Sequence, residues 1–191
     1  MLKGVCNYNG KHGCLKCTVV GEYSHVSHTV IFPDTNCPLR NDKDFREKKY
    51  GNHHKFDSPL LKLPIDMIES FPVSDSLHLI DLGIVKRLMI GWRDGNFGKK
   101  VTKWHSSDIH VVNAFLNSCK TPTEIHRAVR GLDCLSHWKG SEFRTFFHYL
   151  SLAILPKVLK QDAMQHFLTL FCAITICSSE EYFPLLSLAE Q

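Results

Sequence analysis

A chain of 191 residues that is 43% hydrophobic and 22% charged has the makeup of a folded domain with a core, which excludes a disordered or low-complexity segment. Its net charge of +4 permits contact with phosphate but falls short of the concentrated basic face of a dedicated nucleic-acid binder. No basic start leads into an apolar run and a small-residue cleavage site, so an intracellular setting is expected and most of the eight cysteines should be reduced thiols.

The first 55 residues hold four of those cysteines and little helical periodicity. Two runs, Thr18 to Tyr23 and His28 to Phe32, are rich in β-branched and aromatic residues and flank a short polar turn, which predicts a hairpin. Pro33 and Asp34 end its second strand. Residues 41 to 55 are polar and charged, and Asp57-Ser58-Pro59 opens a second, apolar part. The expected organisation is a Cys/His-rich hairpin segment over 1–55 and a helical domain over 56–191.

Helices follow in order. Leu77, Ile80, Ile84, Leu88 and Trp92 recur at spacings of three and four, with Ser74 or Asp75 placed to cap the start and Asp94-Gly95 to stop it. A second helix is predicted from about Ser107 through Ile109, Val112, Phe115 and Leu116. Thr121-Pro122-Thr123-Glu124 combines a capping box with proline at the first helical position and predicts a short third helix to about Arg130. Phe143, Phe146, Phe147, Leu150 and Ile154 define a fourth, ended by Pro156, and Phe167, Leu170, Phe171, Ile174 and Cys177 a fifth. The apolar run 167–177 is about half of the ~20 residues that cross a bilayer, so it reads as a buried helix and no membrane partner is expected. The fold class is therefore mainly α (α+β), a small N-terminal β-hairpin with a Cys-x-x-Cys segment followed by a helical bundle.

Three constellations carry chemistry. Cys14-Leu15-Lys16-Cys17 sets two thiols three positions apart on a glycine-permitted turn, one half of a tetrahedral zinc site; His53, His54 and His78 are the foremost further ligands, before Cys6, His12 and Cys37. Asp75-Ser76-Leu77-His78 places a carboxylate at the positive end of a helix and an imidazole one turn on, which suits either shared ligation or an N-cap with its histidine satisfied. Lys99, Lys100 and Lys103, beside Trp104 and His105, suit contact with a phosphate backbone or a solvated loop. No glycine-flanked serine elbow and no phosphate loop appears, so neither a nucleophilic enzyme nor a small-molecule substrate is expected.

Several separated strings together resemble the transposase domains of CACTA-like (En/Spm-type) DNA transposons found in animal genomes. They are Leu2-Lys3-Gly4, Gly13 through Tyr23, His54 with Ser58-Pro59-Leu60-Leu61, Phe71-Pro72, Asp75-Ser76-Leu77-His78-Leu79, Leu82 through Leu88, Trp138 through Arg144, and His166-Phe167-Leu168. Their order and spacing agree across nearly the whole chain. The resemblance implies a fragment of a ribonuclease-H-like transposase with its helical insertion, a nuclear location and DNA as partner. It also implies that Asp75 and His78 form the family's accessory Asp-x-x-His motif, and that a structural zinc is held by Cys14, Cys17, His54 and His78 or completed by a downstream histidine pair.

In such enzymes two aspartates and a glutamate hold catalytic Mg, and none of those three positions has a match here; Tyr8 also stands where the family often carries histidine. The expectation is a remnant of a cut-and-paste transposase, inactive in strand transfer, with magnesium belonging to the parent family only. The alternative is a domesticated zinc-dependent module that binds protein or nucleic acid. Helices evolved to rest on a sheet outside the chain would expose apolar area, and oligomeric state is left open.

Overall fold

The computed structural model describes residues 2–97 and 103–189, which form two compact units, 1–74 and 75–191. The boundary expected at residue 55 falls inside the first unit. The reason is a small core: Leu60, Leu61, Ile65, Met67, Ile68 and Phe71 pack with Val5 and Phe45 and cannot leave them without exposing both sides.

In the first unit, β1 (Glu22–Ser24) pairs antiparallel with β2 (Thr29–Ile31), Tyr23 opposite Val30. The hairpin is shorter than the β-branched runs, because Thr18 is drawn away: its N–H and hydroxyl both donate to the Pro38 carbonyl, at 2.9 and 3.2 Å. The polar stretch after it holds α1 (Asp42–Arg46), capped by Asn41, whose side chain accepts from the Asp44 N–H. The remaining order comes from backbone pairing of distant segments. Val5 bridges His54, Lys55 and Phe56 donate to the Gly4 carbonyl at 2.8 and 3.2 Å, and the Ser58 hydroxyl donates to the Leu2 carbonyl at 2.7 Å. Gly4 sits at φ +70°, and a Cβ there would strike the Phe56 carbonyl, so both the conformation and the close approach require glycine.

The second unit is helical. It starts with a π-helical segment, Leu77–Val85, that runs directly into α2 (Lys86–Asp94) and ends on Gly95 at φ +82°, whose N–H reaches the Gly91 carbonyl. Wider π turns displace the apolar stripe by about one position. Asp81, Val85, Met89 and Trp92 face inward, while Leu77 is 39% exposed. Next come α3 (Ser106–Ser118), α4 (Gly140–Thr145), a second π-helical segment Phe146–Leu150, α5 (Ser151–Ile154), α6 (Gln161–Cys177) and α7 (Leu186–Ala189).

The short helix expected over 122–130 is a correction: Pro122 starts only a turn, closed by the Ile125 N–H, and the chain then runs without regular structure to Gly131. Val129 alone is buried there, too little for an apolar face, and Arg130 is pulled out of helical geometry toward Glu142.

Aromatic rings fill the second core. Trp92 meets Trp104 at 5.8 Å and Phe167 at 5.9 Å, Trp138 meets Phe143 at 5.3 Å, and Phe147 meets Phe167 edge-on at 5.7 Å. The run 167–177, expected as a buried helix, buries Phe167 and packs Phe171 and Ile174 on one stripe while Cys172 and Cys177 are exposed; Cys119, after α3, is half-buried. Among the described residues no helix is long and apolar enough to cross a membrane. The chain is thus mainly helical, with one small two-stranded antiparallel sheet near its N-terminus.

Candidate functional site

The Cys-x-x-Cys turn is built by the strand-like segment behind it. Arg40 accepts its place through backbone pairing, its N–H donating to the Lys16 carbonyl at 2.7 Å, while Cys17 bridges Leu39. The Arg40 guanidinium then lies 4.5 Å over the Tyr50 ring and donates through Nε to the Cys14 carbonyl at 3.2 Å. The two sulfurs are 3.4 Å apart, and the Cys17 N–H points to Cys14 Sγ at 3.4 Å. Burial works against a Cys14 thiolate. The backbone N–H groups of Cys17 and Lys16, the Cys17 thiol and Arg40 outweigh it and hold that thiol below its ordinary range. Burial and the neighbouring Cys14 push Cys17 up instead.

Two thiolates on one tetrahedral zinc lie about 3.8 Å apart for Zn–S bonds of about 2.3 Å, so this pair, at 3.4 Å, is closer than one edge of such a site. A second edge is not assembled. Among the described residues no group of three or more His, Cys, Asp or Glu side chains is placed to hold a metal ion, so Cys14 and Cys17 stand without a third donor.

His54, expected as the next ligand, sits with its ring 4.8 Å from Phe45 and stacked at 6.2 Å on Tyr50, its buried Nε2 making no hydrogen bond. Its neighbour has the more ligand-like state. His53 is fully buried, and its Nδ1 must donate to the His12 carbonyl at 2.7 Å, since a carbonyl only accepts. That leaves a lone pair on Nε2, which is buried and meets no donor. Burial lowers its pKa to about 4, with Arg40, His54 and Lys3 adding to the shift against the His12 carbonyl.

Lys3 is the first unit's other unusual group. Its ammonium lies 4.6 Å over Phe71 and 5.5 Å over Phe45 without a hydrogen-bond partner, and burial, with Lys16 and Arg40 nearby, lowers it to about 8. Position in the sequence gives no hint of this, because Lys3 precedes every periodic segment.

In the second unit Asp75 and His78 do meet. Asp75 Oδ1 accepts the His78 N–H at 2.9 Å, capping the helix, and His78 Nδ1 donates back to the same carboxylate at 2.9 and 3.0 Å. The His78 N–H and then its ring hold Asp75 below the usual carboxylate range. Both side chains are more than half exposed, so the motif is a surface helix cap that fixes the orientation of an open imidazole.

Lys99 and Lys100 lie outside the described residues; Lys103 is exposed, its methylenes covering Gly95.

Two buried carboxylates escaped the reading of the sequence. Glu142, fully buried, takes a bidentate pair from Arg130 at 2.7 and 2.8 Å and accepts the Lys139 N–H at 2.8 Å. Burial raises it, but those donors prevail and hold it low. Asp81, 1% exposed, is met at 3.1 Å by Arg144 Nε, and Arg144 also donates to the Ser76 hydroxyl at 2.9 Å. For Asp81 burial prevails over Arg144 and its pKa is raised. For Glu142 the available signal was its place beside Phe143 at the start of an apolar helix; Asp81 left none, because only the π register turns it inward. Comparison with protein-family models, curated proteins and solved structures returns no match.

Proposed function

We propose that the chain derives from a cut-and-paste DNA transposase of the CACTA-like type, a ribonuclease-H-like enzyme by ancestry, and that these residues engage DNA without carrying out strand transfer. The observation that carries the reading is the ordered set of strings from Leu2-Lys3-Gly4 to His166-Phe167-Leu168. Residues of those strings also make hydrogen-bonded joints of the fold, some local and some between distant segments. Gly4 and Leu2 receive Lys55 and Ser58, Asp75 caps the helix that His78 enters, and Glu142 of the Trp138–Arg144 string anchors Arg130.

No strand-transfer step is assigned to these residues. Two-metal phosphoryl transfer requires converging carboxylates, whereas Glu142 and Asp81 are each taken up by their own arginine and Asp75 by His78. Zinc, where bound, supplies a structural clasp through Cys14 and Cys17 with donors beyond this pair; the buried lone pair of His53 is the specific observation that favours a zinc-dependent module as the second reading.

Mobility-shift titration of the full chain against duplex DNA at 50 and 200 mM salt, with and without Mg, tests the first reading. Expected is binding that weakens at least tenfold with salt, with no nicking in either condition. Metal-dependent cleavage, or no binding at 50 mM salt, overturns it. Stoichiometric zinc lost on Cys14→Ser supports the second.

A further inference from the structure

The second unit contains a cleft of about 990 Å³ that none of the motifs accounts for. Its polar groups come from the two π-helical segments, the helix between them and the irregular segment that carries Glu124, His126 and Arg127. Leu77–Val85 supplies Asp81, α4 supplies Arg144, and Phe146–Leu150 supplies His148 and Tyr149. π turns are rare in helices and occur frequently at functional sites. Two of them lining one cleft is therefore an observation independent of its size.

Its chemistry is specific. The Asp81 carboxylate, 1% exposed, spends Oδ2 on Arg144 Nε, and its other oxygen accepts no hydrogen bond among the described residues. Arg144 spends Nε and Nη2 on Asp81 and Ser76, which leaves its Nη1 without an acceptor there. An acceptor beside a guanidinium donor is the complement of a planar base edge that presents N–H next to a carbonyl or ring-nitrogen acceptor, an edge every nucleobase has.

Around that pair Ile80, Ile125 and Ile174 supply apolar wall, between polar groups that include Glu124 and His126. Tyr149, 70% exposed, offers a face for stacking, and Arg127, on the same cleft and free of any hydrogen bond among the described residues, offers a cation to an anionic group. The volume suits a ligand larger than a bare anion.

We infer that the cleft lined by Asp81, Arg144, His148 and Tyr149 is a nucleotide-binding site that holds the edge of a base on Asp81 and Arg144 and its phosphate at Arg127. The inference does not depend on the transposase reading. Duplex DNA binding and mononucleotide binding are separate measurements, and either can fail alone.

The test is calorimetric titration of the full chain with dGMP, dTMP and dAMP against deoxyguanosine and inorganic phosphate. The nucleotides are expected to bind at least tenfold more tightly than the nucleoside or phosphate. Tyr149→Ala and Arg127→Gln, both surface changes that leave the Asp81–Arg144 pair intact, are each expected to cost tenfold with unchanged melting. Asp81→Asn, which replaces the charged acceptor, is expected to weaken nucleotide binding at least tenfold.

A short oligonucleotide tests the source of the same chemistry. Tighter binding than dGMP means that the site takes a base from a strand, and equal binding means a free nucleotide; both support the site. No heat or spectral change up to millimolar nucleotide overturns the inference, as does binding that both surface variants leave untouched.

Discussion

The two units bury polar groups by opposite means. The first encloses bases, with Lys3, Arg40 and His53 buried around a small apolar core, and meets their desolvation with aromatic rings, carbonyl oxygens and loss of the proton. The second encloses acids, Glu142 and Asp81, and meets theirs with one arginine each inside a core of tryptophan and phenylalanine. His53 sheds its charge at neutral pH and Lys3 and Arg40 keep theirs against aromatic faces, whereas a buried acid that stays charged needs a partner fixed in place. The first unit should consequently respond to pH, and the second to changes in packing and pairing.

The largest expected effect breaks the second unit alone. Phe147 is fully buried between Phe167 and Phe171, so Phe147→Ala should cost about 4 kcal/mol, by lost transfer energy and the cavity left behind. Native-state hydrogen exchange reads the units separately, and protection should fall in α4 through α6 while Val5, Phe45 and His54 keep theirs. Equal loss in both units would show that they unfold together.

The next effect belongs to the first unit. The folded pKa of His53 is about 4 against an ordinary 6.5, so between these values the unfolded chain binds a proton that the folded chain refuses. Stability from this group is complete above pH 6.5 and is lost as pH falls toward 4, on the order of 3 kcal/mol in all. His54, also lowered by burial and then by Arg40, adds in the same direction. His53→Gln keeps a donor for the His12 carbonyl and should remove most of that slope in thermal melts from pH 7 to 4; an unchanged slope would place the titration elsewhere.

The smallest effect tests the backbone joints. Ser58 donates to the Leu2 carbonyl and accepts the Leu60 N–H at 3.1 Å, so Ser58→Ala should cost about 1–2 kcal/mol and release the chain's first residues to protease before the core opens. Cleavage confined to other sites would assign the anchoring of Leu2 to the Gly4 pairing alone.

Asp75, Gly95 and the stripes of α3 and α6 were legible in the sequence, because caps, stops and helical periodicity are local and act within a turn or two. The pairing of Cys14 with Cys17 was legible for the same reason, since three residues on a turn fix it. What else surrounds that pair was not: Arg40 and His53 are distant in sequence, and His53 differs from His54 only in which face of the segment packs inward. The π register was hidden too, because one extra residue per turn shifts the buried face without altering composition. It was this shift that put Asp81, and not Ile80, against Arg144.

By itself, then, the sequence determined the helices that carry Leu77 to Trp92, Ile109 to Leu116, Phe143 to Ile154 and Phe167 to Ile174, and that a dithiol turn precedes them. Only the tertiary structure decided that residues 58–71 belong with the N-terminal segment, that 122–130 stays out of helix, and that two carboxylates are buried on arginines. Those outcomes depend on burial and ion pairing between residues far apart in the chain, which set the cost of an exposed apolar face or an unpaired charge and leave no periodic trace.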